Sequence, residues 1–216
     1  MKTVTFKRHE IPVGKILCLG RNYAEHAREM AAAIPQEPVV FLKPSSAIIH
    51  DGDSIVIPSI SHDLHHEVEM IVMIGKQGKN IAIADAMEHV AGYGVGLDMT
   101  LRDVQAEAKK GGLPWSVAKG FDTSAPVSTI VERALVTNSH DLSISLKVNG
   151  KGRQLASTSD MIFKIDYVVS YLSSLFTLEL GDLIFTGTPQ GVARVESGDI
   201  LEAELESVTK LRVRVA

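Results

Sequence analysis

The chain has 216 residues, of which 45% are hydrophobic and 22% are charged, and its formal net charge is −4. This length suits one domain over residues 1–216, and the slight acidity excludes the basic surface that nucleic acid requires. No apolar run approaches the ~18 residues of a membrane span, and the first residues lack the apolar core of a secretory signal. We therefore predict a cytoplasmic protein with neither a nucleic-acid nor a membrane partner.

The first half of the chain predicts short strands and three helical stretches. A strand from Lys15 to Gly20 contains the one cysteine, Cys18, which we interpret as a buried side chain; one cysteine excludes an intrachain disulfide. A helix is expected from Tyr23 to Ala33. The next elements are strands at 39–44, 54–58 and 68–75, a helix at 81–92, a strand at 92–98 and a helix at 100–111. In the last helix Thr100 is the expected N-cap and Asp103 stands at the capping-box position.

The second half predicts a hairpin, one helix and further strands. Ser143 to Leu155 alternates around Asn149-Gly150, the dipeptide most typical of a two-residue hairpin turn. Asp160 is placed to cap an amphipathic helix over 161–176. Strand-like segments at 181–189, 199–207 and 210–216 follow, and apolar and basic residues alternate in the last of them. Many short strands with a few helices predict a β-rich α+β fold.

Two glutamates, Glu67 and Glu69, stand two residues apart in the apolar segment HHEVEMIVMIG. On a strand they share a face, where two carboxylates repel each other and resist leaving water. A solvated face would explain them, but Ile71 and Met73 continue the same face with apolar side chains. A divalent cation is the better interpretation, because it neutralises both charges.

Asp98, which follows the strand GYGVGLD, is the candidate third ligand, although a helix-capping role explains it equally well from spacing alone. Ligation by oxygen alone selects a hard ion such as Mg²⁺, with Mn²⁺ or Ca²⁺ as substitutes. Zinc is the weaker alternative. Met70 occupies the second histidine position of an H-E-x-x-H motif that begins at His66, which leaves only His62 and His65 nearby.

A second candidate cluster is formed by His26 and Glu29, which lie one helical turn apart in GRNYAEHAREM. Glu29 can orient His26 and raise its basicity, as a water-activating base requires. For an isolated H-x-x-E pair, however, an exposed salt-bridged helix surface is the more common explanation. Lys119, in WSVAKGFD, is expected either to neutralise a substrate carboxylate or oxyanion or to pair with Asp122. The loop FTGTPQGV lacks the ending of a phosphate-binding loop and, by itself, indicates a turn.

Taken together, these segments resemble the fumarylacetoacetate hydrolase family, in its short single-domain branch of acylpyruvases, fumarylpyruvate hydrolases and oxaloacetate decarboxylases. The resemblance covers nearly the whole chain, in order. The matching segments are GRNYAEHAREM, LKPSSA, HHEVEM, GYGVGLDMTLRDVQ, GLPWSVAKGFD, NGKGRQ, MIF and FTGTPQGV. One departure is Gly120, where the family pattern would have a residue such as Ser or Ala, and this change is expected to alter the pocket.

The resemblance implies a mixed β-sandwich roll with a few peripheral helices, commonly assembled as a homodimer. It implies that Glu67, Glu69 and Asp98 hold Mg²⁺ or Mn²⁺, which decides the role of Asp98. It places His26 and Glu29 as a catalytic dyad on a short helix that closes over the site. The positions expected to contact substrate or oxyanion are Arg21, Arg102, Gln105, Lys119 and Thr188.

The activity implied by the resemblance is hydrolysis of the carbon–carbon bond of acylpyruvates to pyruvate and a carboxylic acid. His26, assisted by Glu29, would activate water, Lys119 and Gln105 would steady the oxyanion, and the metal would stabilise the departing pyruvate enolate. Oxaloacetate decarboxylation and isomerisation or decarboxylation of 2-hydroxy-dienoate diacids use the same enolate and remain alternatives. A metal-binding scaffold without activity is the alternative from another class.

Overall fold

A computed structural model describes residues 2–30 and 33–216 of the chain. These residues form short strands, four α-helices and several 3₁₀ turns. The strands are β1 (Thr3–Phe6), β2 (His9–Pro12), β3 (Lys15–Gly20), β4 (Val39–Pro44), β5 (Ile48–Ile49), β6 (Ser54–Ile55), β7 (Leu64–His66), β8 (Val68–Ile74), β9 (Val90–Leu97), β10 (Thr100–Leu101), β11 (Ala125–Pro126), β12 (Val131–Glu132), β13 (Ser143–Val148), β14 (Lys151–Ser157), β15 (Leu183–Phe185), β16 (Ala193–Arg194), β17 (Ile200–Leu205) and β18 (Thr209–Val215). The α-helices are α1 (Ala24–Glu29), α2 (Arg102–Lys110), α3 (Ser116–Gly120) and α4 (Ile165–Leu175).

Two mixed sheets form the body of the fold. One has six strands in the order β12-β9-β8-β15-β3-β4, in which only β15 and β3 are parallel neighbours. The other has five strands in the order β14-β13-β17-β18-β6, in which only β18 and β6 are parallel. Apolar side chains from both sheets share one buried core, so the sheets pack face to face. The mixed β-sandwich of the α+β class is therefore confirmed.

The six-stranded sheet is buried on both faces, which explains why its strands are apolar throughout. In β8, Val68 and Met70 point into the core between the two sheets, whereas Ile71 and Met73 point into a second core on the opposite face. Cys18, buried in this second core, is a free thiol, as predicted. The carboxylate of Glu69 thus lies on the face that leads to the second core, beside apolar neighbours.

Glu67 lies at a break between two strands, which the sequence pattern did not predict. β7 pairs with β10 and β16 in a separate three-stranded sheet, whereas β8 belongs to the six-stranded sheet. The chain changes sheets at Glu67, whose carbonyl oxygen accepts a hydrogen bond from Asp98 N at 2.8 Å. Because Val68 pairs with Leu97 at the end of β9, Asp98 emerges next to Glu67.

The predicted strands and the hairpin agree with the structure more closely than the predicted helix ends do. Asn149 and Gly150 both have positive φ, as a type I′ turn requires, and β13 and β14 flank them. The strand predicted at 54–58 is reduced to Ser54–Ile55, and the helix predicted at 81–92 is a 3₁₀ helix over Ile83–His89.

Three predicted helix boundaries are wrong. Helix α1 ends at Glu29 rather than near Ala33, which is not helical, and residues 31–32 of the predicted helix lie outside the described residues. Thr100 is not an N-cap, because it pairs with His65 in a strand. Asp160 instead closes a capping box with Ser157 around the 3₁₀ turn Thr158–Asp160, and α4 starts later, at Ile165.

Within the described part of the chain, no helix is long and apolar enough to cross a membrane.

Candidate active site

Three buried carboxylates converge where β7, β8 and β9 meet. Glu67, Glu69 and Asp98 each offer an oxygen within 4.8 Å of the others, and all three side chains are buried. Glu67 and Asp98 are held by the strand break and the end of β9, and Glu69 by its place in β8. No histidine of the described residues belongs to this group. The donor set is therefore oxygen alone, as the sequence predicted.

Two basic side chains neutralise Glu67. Arg102 Nη2 lies 2.6 Å from Glu67 Oε1, and Lys119 Nζ lies 2.9 Å from Oε2. Lys119 also lies 2.6 Å from Asp98 Oδ2, so it pairs with these two acids and not with Asp122. Burial opposes the negative charge of Glu67, but Lys119 and Arg102 outweigh it and lower the pKa of this carboxyl.

Lys43 is a second buried ammonium behind the acids, and the sequence analysis did not identify it. Its Nζ lies 2.8 Å from Asp98 Oδ1. Nζ also lies within hydrogen-bond distance of four acceptors for its three hydrogens: the carbonyls of Met99, Lys119 and Ser124 and the Ser124 hydroxyl. Lys43 thus forms an ion pair with Asp98 Oδ1, which accepts no hydrogen bond from any residue that the structure describes. The signal in the sequence was a lysine within the otherwise apolar strand VVFLKP.

Glu69 is the least compensated of the three acids. One of its oxygens accepts a hydrogen bond from Gly187 N at 2.7 Å. Burial, followed by the negative charges of Asp98 and Glu67, raises the pKa of Glu69 well above its usual value. Asp98 Oδ1 accepts no hydrogen bond, and Glu69 has no basic partner among the described residues. This buried all-carboxylate group fits a hard divalent cation, which would place positive charge beside Glu69.

His26 and Glu29 form a hydrogen-bonded pair on α1, as their spacing predicted. His26 Nδ1 lies 3.2 Å from Glu29 Oε2, and the His26 side chain is buried whereas Glu29 is partly exposed. Gly191 N donates to both oxygens of Glu29 at 3.1 and 3.2 Å. Asn22 fixes the start of this segment, because its amide group bonds the backbone of Phe163 and Thr186. The dyad is thus held from two sides of the fold.

A cavity of about 200 Å³ joins the dyad to the acid cluster. Seven of the ten predicted site residues line it: Arg21, His26, Glu67, Arg102, Gln105, Lys119 and Thr188. The other three lie directly behind, since Glu29 bonds His26 and since Glu69 and Asp98 lie beside Glu67. The structure therefore brings all ten predicted residues together around one cavity.

The basic rim of this cavity includes a residue that the sequence analysis missed. Lys109 lies on α2, near Arg102 and Arg21, and its ammonium stacks over the Trp115 ring at 5.2 Å. Partial burial, together with these two guanidinium groups, lowers the pKa of Lys109. Neither Lys109 nor Arg21 pairs with a carboxylate among the described residues. Arg21 also adopts φ +61°, an uncommon backbone conformation that places it at the junction of β3 and α1.

The loop 186–191 serves the acids of the site rather than a phosphate. Gly187 N bonds Glu69, and Gly191 N bonds Glu29. At Gly187, where φ is +96°, a Cβ atom would lie 2.7 Å from the side chain of Asn22. A glycine is therefore required where the loop approaches α1.

Gly120, the departure from the family pattern, does not line the cavity. A Cβ atom there would meet Pro44 Cδ at 3.0 Å, so the residue governs the contact between α3 and the end of β4. Gly120 thus makes no direct contribution to the pocket lining, and an effect on the pocket through α3 stays a prediction.

His66, buried beside Glu67, predicts acid destabilisation. Burial lowers the pKa of His66 to about 4, so the folded protein keeps a neutral imidazole where the unfolded chain binds a proton. The contribution of His66 to the free energy of unfolding is fully present above its pKa in the unfolded chain, about 6.5, and is lost as the pH falls towards 4. We expect the free energy of unfolding to fall by about 2 kcal/mol between pH 7 and pH 5. His66→Asn should flatten this pH dependence in urea unfolding, whereas His9→Asn, at an exposed position, should not. If the free energy of unfolding changed equally with pH in the wild type and in both variants, His66 would not be the source of the acid destabilisation.

The comparison with known proteins places this geometry in a family. The model described as fumarylacetoacetate (FAA) hydrolase C-terminal matches residues 15–216 of the chain. The chain belongs to the fumarylacetoacetate hydrolase family. Among the family's curated members, the mouse protein named oxaloacetate tautomerase FAHD1, mitochondrial, is 50% identical over 200 residues, which are 93% of this chain and 90% of that protein. The human protein of the same name is 48% identical over the same shares.

Solved structures of the family share the whole fold. The fumarylpyruvate hydrolase of Pseudomonas aeruginosa, solved in complex with Mn²⁺ and pyruvate, superimposes with a TM-score of 0.94 at 40% identity, over 99% of this chain and 94% of that chain. The 5-carboxymethyl-2-hydroxymuconate delta-isomerase of Mycobacterium smegmatis superimposes with a TM-score of 0.86 at 35% identity, over 100% of this chain and 82% of that chain. This is an enzyme family, and the buried Glu-Glu-Asp group agrees with divalent-metal binding within it.

Proposed function

We propose that the protein acts on 2-oxo acids that carry a second oxygen function at C4, and that it hydrolyses acylpyruvates to pyruvate and a carboxylic acid. The observation that carries the proposal is the shared cavity, which brings the His26–Glu29 pair and the acid cluster into contact with the same ~200 Å³ space. A base that faces such an acid cluster supports attack by water beside a cation. The relative solved with Mn²⁺ and pyruvate supports the same ligand class.

Glu67, Glu69 and Asp98 are the residues that would hold the ion, with Mg²⁺ as the first expectation and Mn²⁺ as the alternative. When bound, a divalent cation supplies a Lewis-acid charge that stabilises the enolate form of a 2-oxo acid. Three cations, Lys43, Arg102 and Lys119, pair with Glu67 and Asp98 and balance the three acids of the cluster. A bound divalent cation would therefore make the cluster net positive, which suits the carboxylate that the substrate brings in.

His26 is the proposed general base. Glu29 accepts from its Nδ1–H, which leaves Nε2 to take a proton from water as the oxygen attacks the C4 carbonyl. Lys119 and Gln105 line the cavity as donors for the resulting oxyanion. Cleavage of the C3–C4 bond then leaves the carboxylic acid and the enolate of pyruvate. The proton held by His26 returns to C3, so that water is the one co-reactant.

A second candidate activity is keto–enol tautomerisation of oxaloacetate. It is favoured by the mouse and human relatives of that name, which are 50% and 48% identical to this chain. Tautomerisation needs the enolate and a proton donor at C3 but no attack by water, so the same residues serve it. Oxaloacetate decarboxylation and the isomerisation of hydroxy-dienoate diacids share this requirement.

A substrate panel tests the proposal. The protein with Mg²⁺ is incubated with acetylpyruvate, fumarylpyruvate, oxaloacetate and a hydroxy-dienoate diacid, and diketone absorbance, pyruvate and CO₂ are followed. Release of pyruvate and acid from an acylpyruvate supports the hydrolase. Loss of the oxaloacetate enol signal without cleavage of any acylpyruvate would replace it by the tautomerase, and no change with any compound would support a scaffold.

Lys109 is expected to select substrates with a second carboxylate. It lines the cavity, is exposed and has no acidic partner among the described residues. A charge-assisted hydrogen bond is worth ~1.5–3 kcal/mol. Lys109→Met should therefore lower kcat/KM for fumarylpyruvate about tenfold or more, while acetylpyruvate changes less than about threefold. The adjacent exposed Lys110→Met is the matched control. Equal losses for both substrates would refute this role.

We further propose that residues 1–216 act as one catalytic domain, that the protein is cytoplasmic and that it forms a homodimer. The family resemblance supports the single domain and the homodimer, and light scattering measures the assembly directly.

A further inference from the structure

Gln154 is a buried side chain that connects two parts of the candidate site. It belongs to β14 in the five-stranded sheet and is only 3% exposed. Its Oε1 lies 3.1 Å from Val68 N and 2.9 Å from His66 Nδ1, the residues on either side of Glu67. Its Nε2 lies 2.9 Å from both Thr188 Oγ1 and Pro189 O, in the loop 186–191.

The neighbours of Gln154 determine which end of its amide is which. Val68 N–H is a donor in every protonation state, so the atom that faces it must be the amide oxygen. His66 Nδ1 then has to donate to the same oxygen. The 2.9 Å contact with the amide oxygen therefore places a hydrogen on His66 Nδ1. At the other end, Pro189 O can only accept, which confirms that the amide nitrogen faces the loop.

This orientation decides the role of the Thr188 hydroxyl. The two hydrogens on Gln154 Nε2 are directed to Pro189 O and Thr188 Oγ1. Thr188 Oγ1 therefore acts as an acceptor towards Gln154, and its own hydrogen has no acceptor among the described residues. Because Thr188 lines the cavity, that hydrogen is available to a ligand.

We infer that Gln154 is a positioning residue that fixes the Thr188 hydroxyl as a hydrogen-bond donor towards the cavity. The ligand group that fits is an acceptor oxygen, the carboxylate or keto oxygen of a 2-oxo acid. The identity of this ligand rests on the proposed function, whereas the donor orientation rests on the hydrogen bonds alone.

The test is a double-mutant cycle. Gln154→Glu replaces the amide donor by an acceptor of nearly the same shape, so the Thr188 hydrogen turns to it and away from the ligand. Thr188→Val removes the hydroxyl. Each change should lower kcat/KM for acetylpyruvate about thirtyfold, and the double variant should lose no more than about a hundredfold. Thr188→Ser, which keeps the hydroxyl, should retain activity within about threefold.

A purely structural role for Gln154 predicts a different result. The fold-losses in kcat/KM caused by Gln154→Glu and by Thr188→Val would then multiply, to about a thousandfold in the double variant. This outcome would overturn the inference. If Gln154→Glu does not fold, the cycle is run with the uncharged Gln154→Met, which leaves the hydroxyl unoriented. A coupling with Thr188→Val of at least about threefold then supports the inference, and simple multiplication overturns it.

Ligand binding separates this inference from the proposed function. Calorimetric titration of the same variants with oxalate, in the presence of Mg²⁺, measures how much the Thr188 hydroxyl contributes to ligand affinity without any turnover. Coupled losses in oxalate affinity would support the donor orientation even if the protein cleaved no acylpyruvate. Independent losses would refute it even if the protein were a proven hydrolase.

Discussion

Glu69→Gln should lower the affinity for Mg²⁺ or Mn²⁺ by roughly a hundredfold and remove activity with it, because it deletes one of three charges that converge on the ion. The amide oxygen still accepts the hydrogen bond from Gly187 N, so the local fold should persist. Titration calorimetry with each ion measures the affinity. Glu107→Gln, on the exposed side of α2, is the charge-matched control and should bind the ion as the wild type does.

Although Glu69→Gln should weaken ion binding, it should stabilise the fold of the metal-free protein. Burial and the charges of Asp98 and Glu67 make an ionised Glu69 unfavourable in the fold, as its raised pKa shows. Removing the charge should therefore raise the thermal unfolding temperature of the metal-free protein at pH 8, while the further rise on adding a given concentration of Mg²⁺ becomes smaller. A variant that binds the ion normally would refute the ligand assignment.

His26→Ala should lower kcat for acylpyruvate hydrolysis by about a thousandfold, the scale expected of a lost general base. Oxaloacetate decarboxylation requires no attack by water, so the same variant should keep that activity within about tenfold. Both rates are measured on one preparation, as pyruvate released from acetylpyruvate and CO₂ released from oxaloacetate. His9→Ala, on the exposed strand β2, is the control.

Equal loss of both activities would contradict the water-activating role. Glu29→Gln adds a finer test, because glutamine still accepts from His26 Nδ1 but carries no charge. A loss much smaller than that of His26→Ala would show that orientation dominates, whereas a similar loss would assign the effect to the charge of Glu29.

The sequence predicted the site well where a residue conflicts with its surroundings. Glu67 and Glu69 stand out because acids in an apolar strand need a partner. His26 and Glu29 followed from helical spacing, and Asn149-Gly150 from the φ angles that its turn requires. Asp98 and Lys119 had two interpretations each from the sequence alone. The structure brings both residues to the acid cluster, while their catalytic roles stay predictions.

What the sequence did not reveal depends on contacts between distant segments. Lys43 and Gln154 carry ordinary local patterns, and their partners lie on other strands and loops. The break at Glu67 was hidden because both flanking strands are apolar, although they belong to different sheets. Thr100 resembled a helix cap locally, but pairing with His65 prevailed, which shows tertiary contacts overriding local preference.

The hydrogen bonds that hold this site also have a kinetic consequence. Glu29 and Gly191 are 162 positions apart, Glu69 and Gly187 are 118 apart, and His66 and Gln154 are 88 apart. Closing such long loops is slow compared with forming a hairpin. During renaturation, recovery of ion affinity should therefore lag behind recovery of β-sheet circular dichroism, so bound manganese could report the final step of folding.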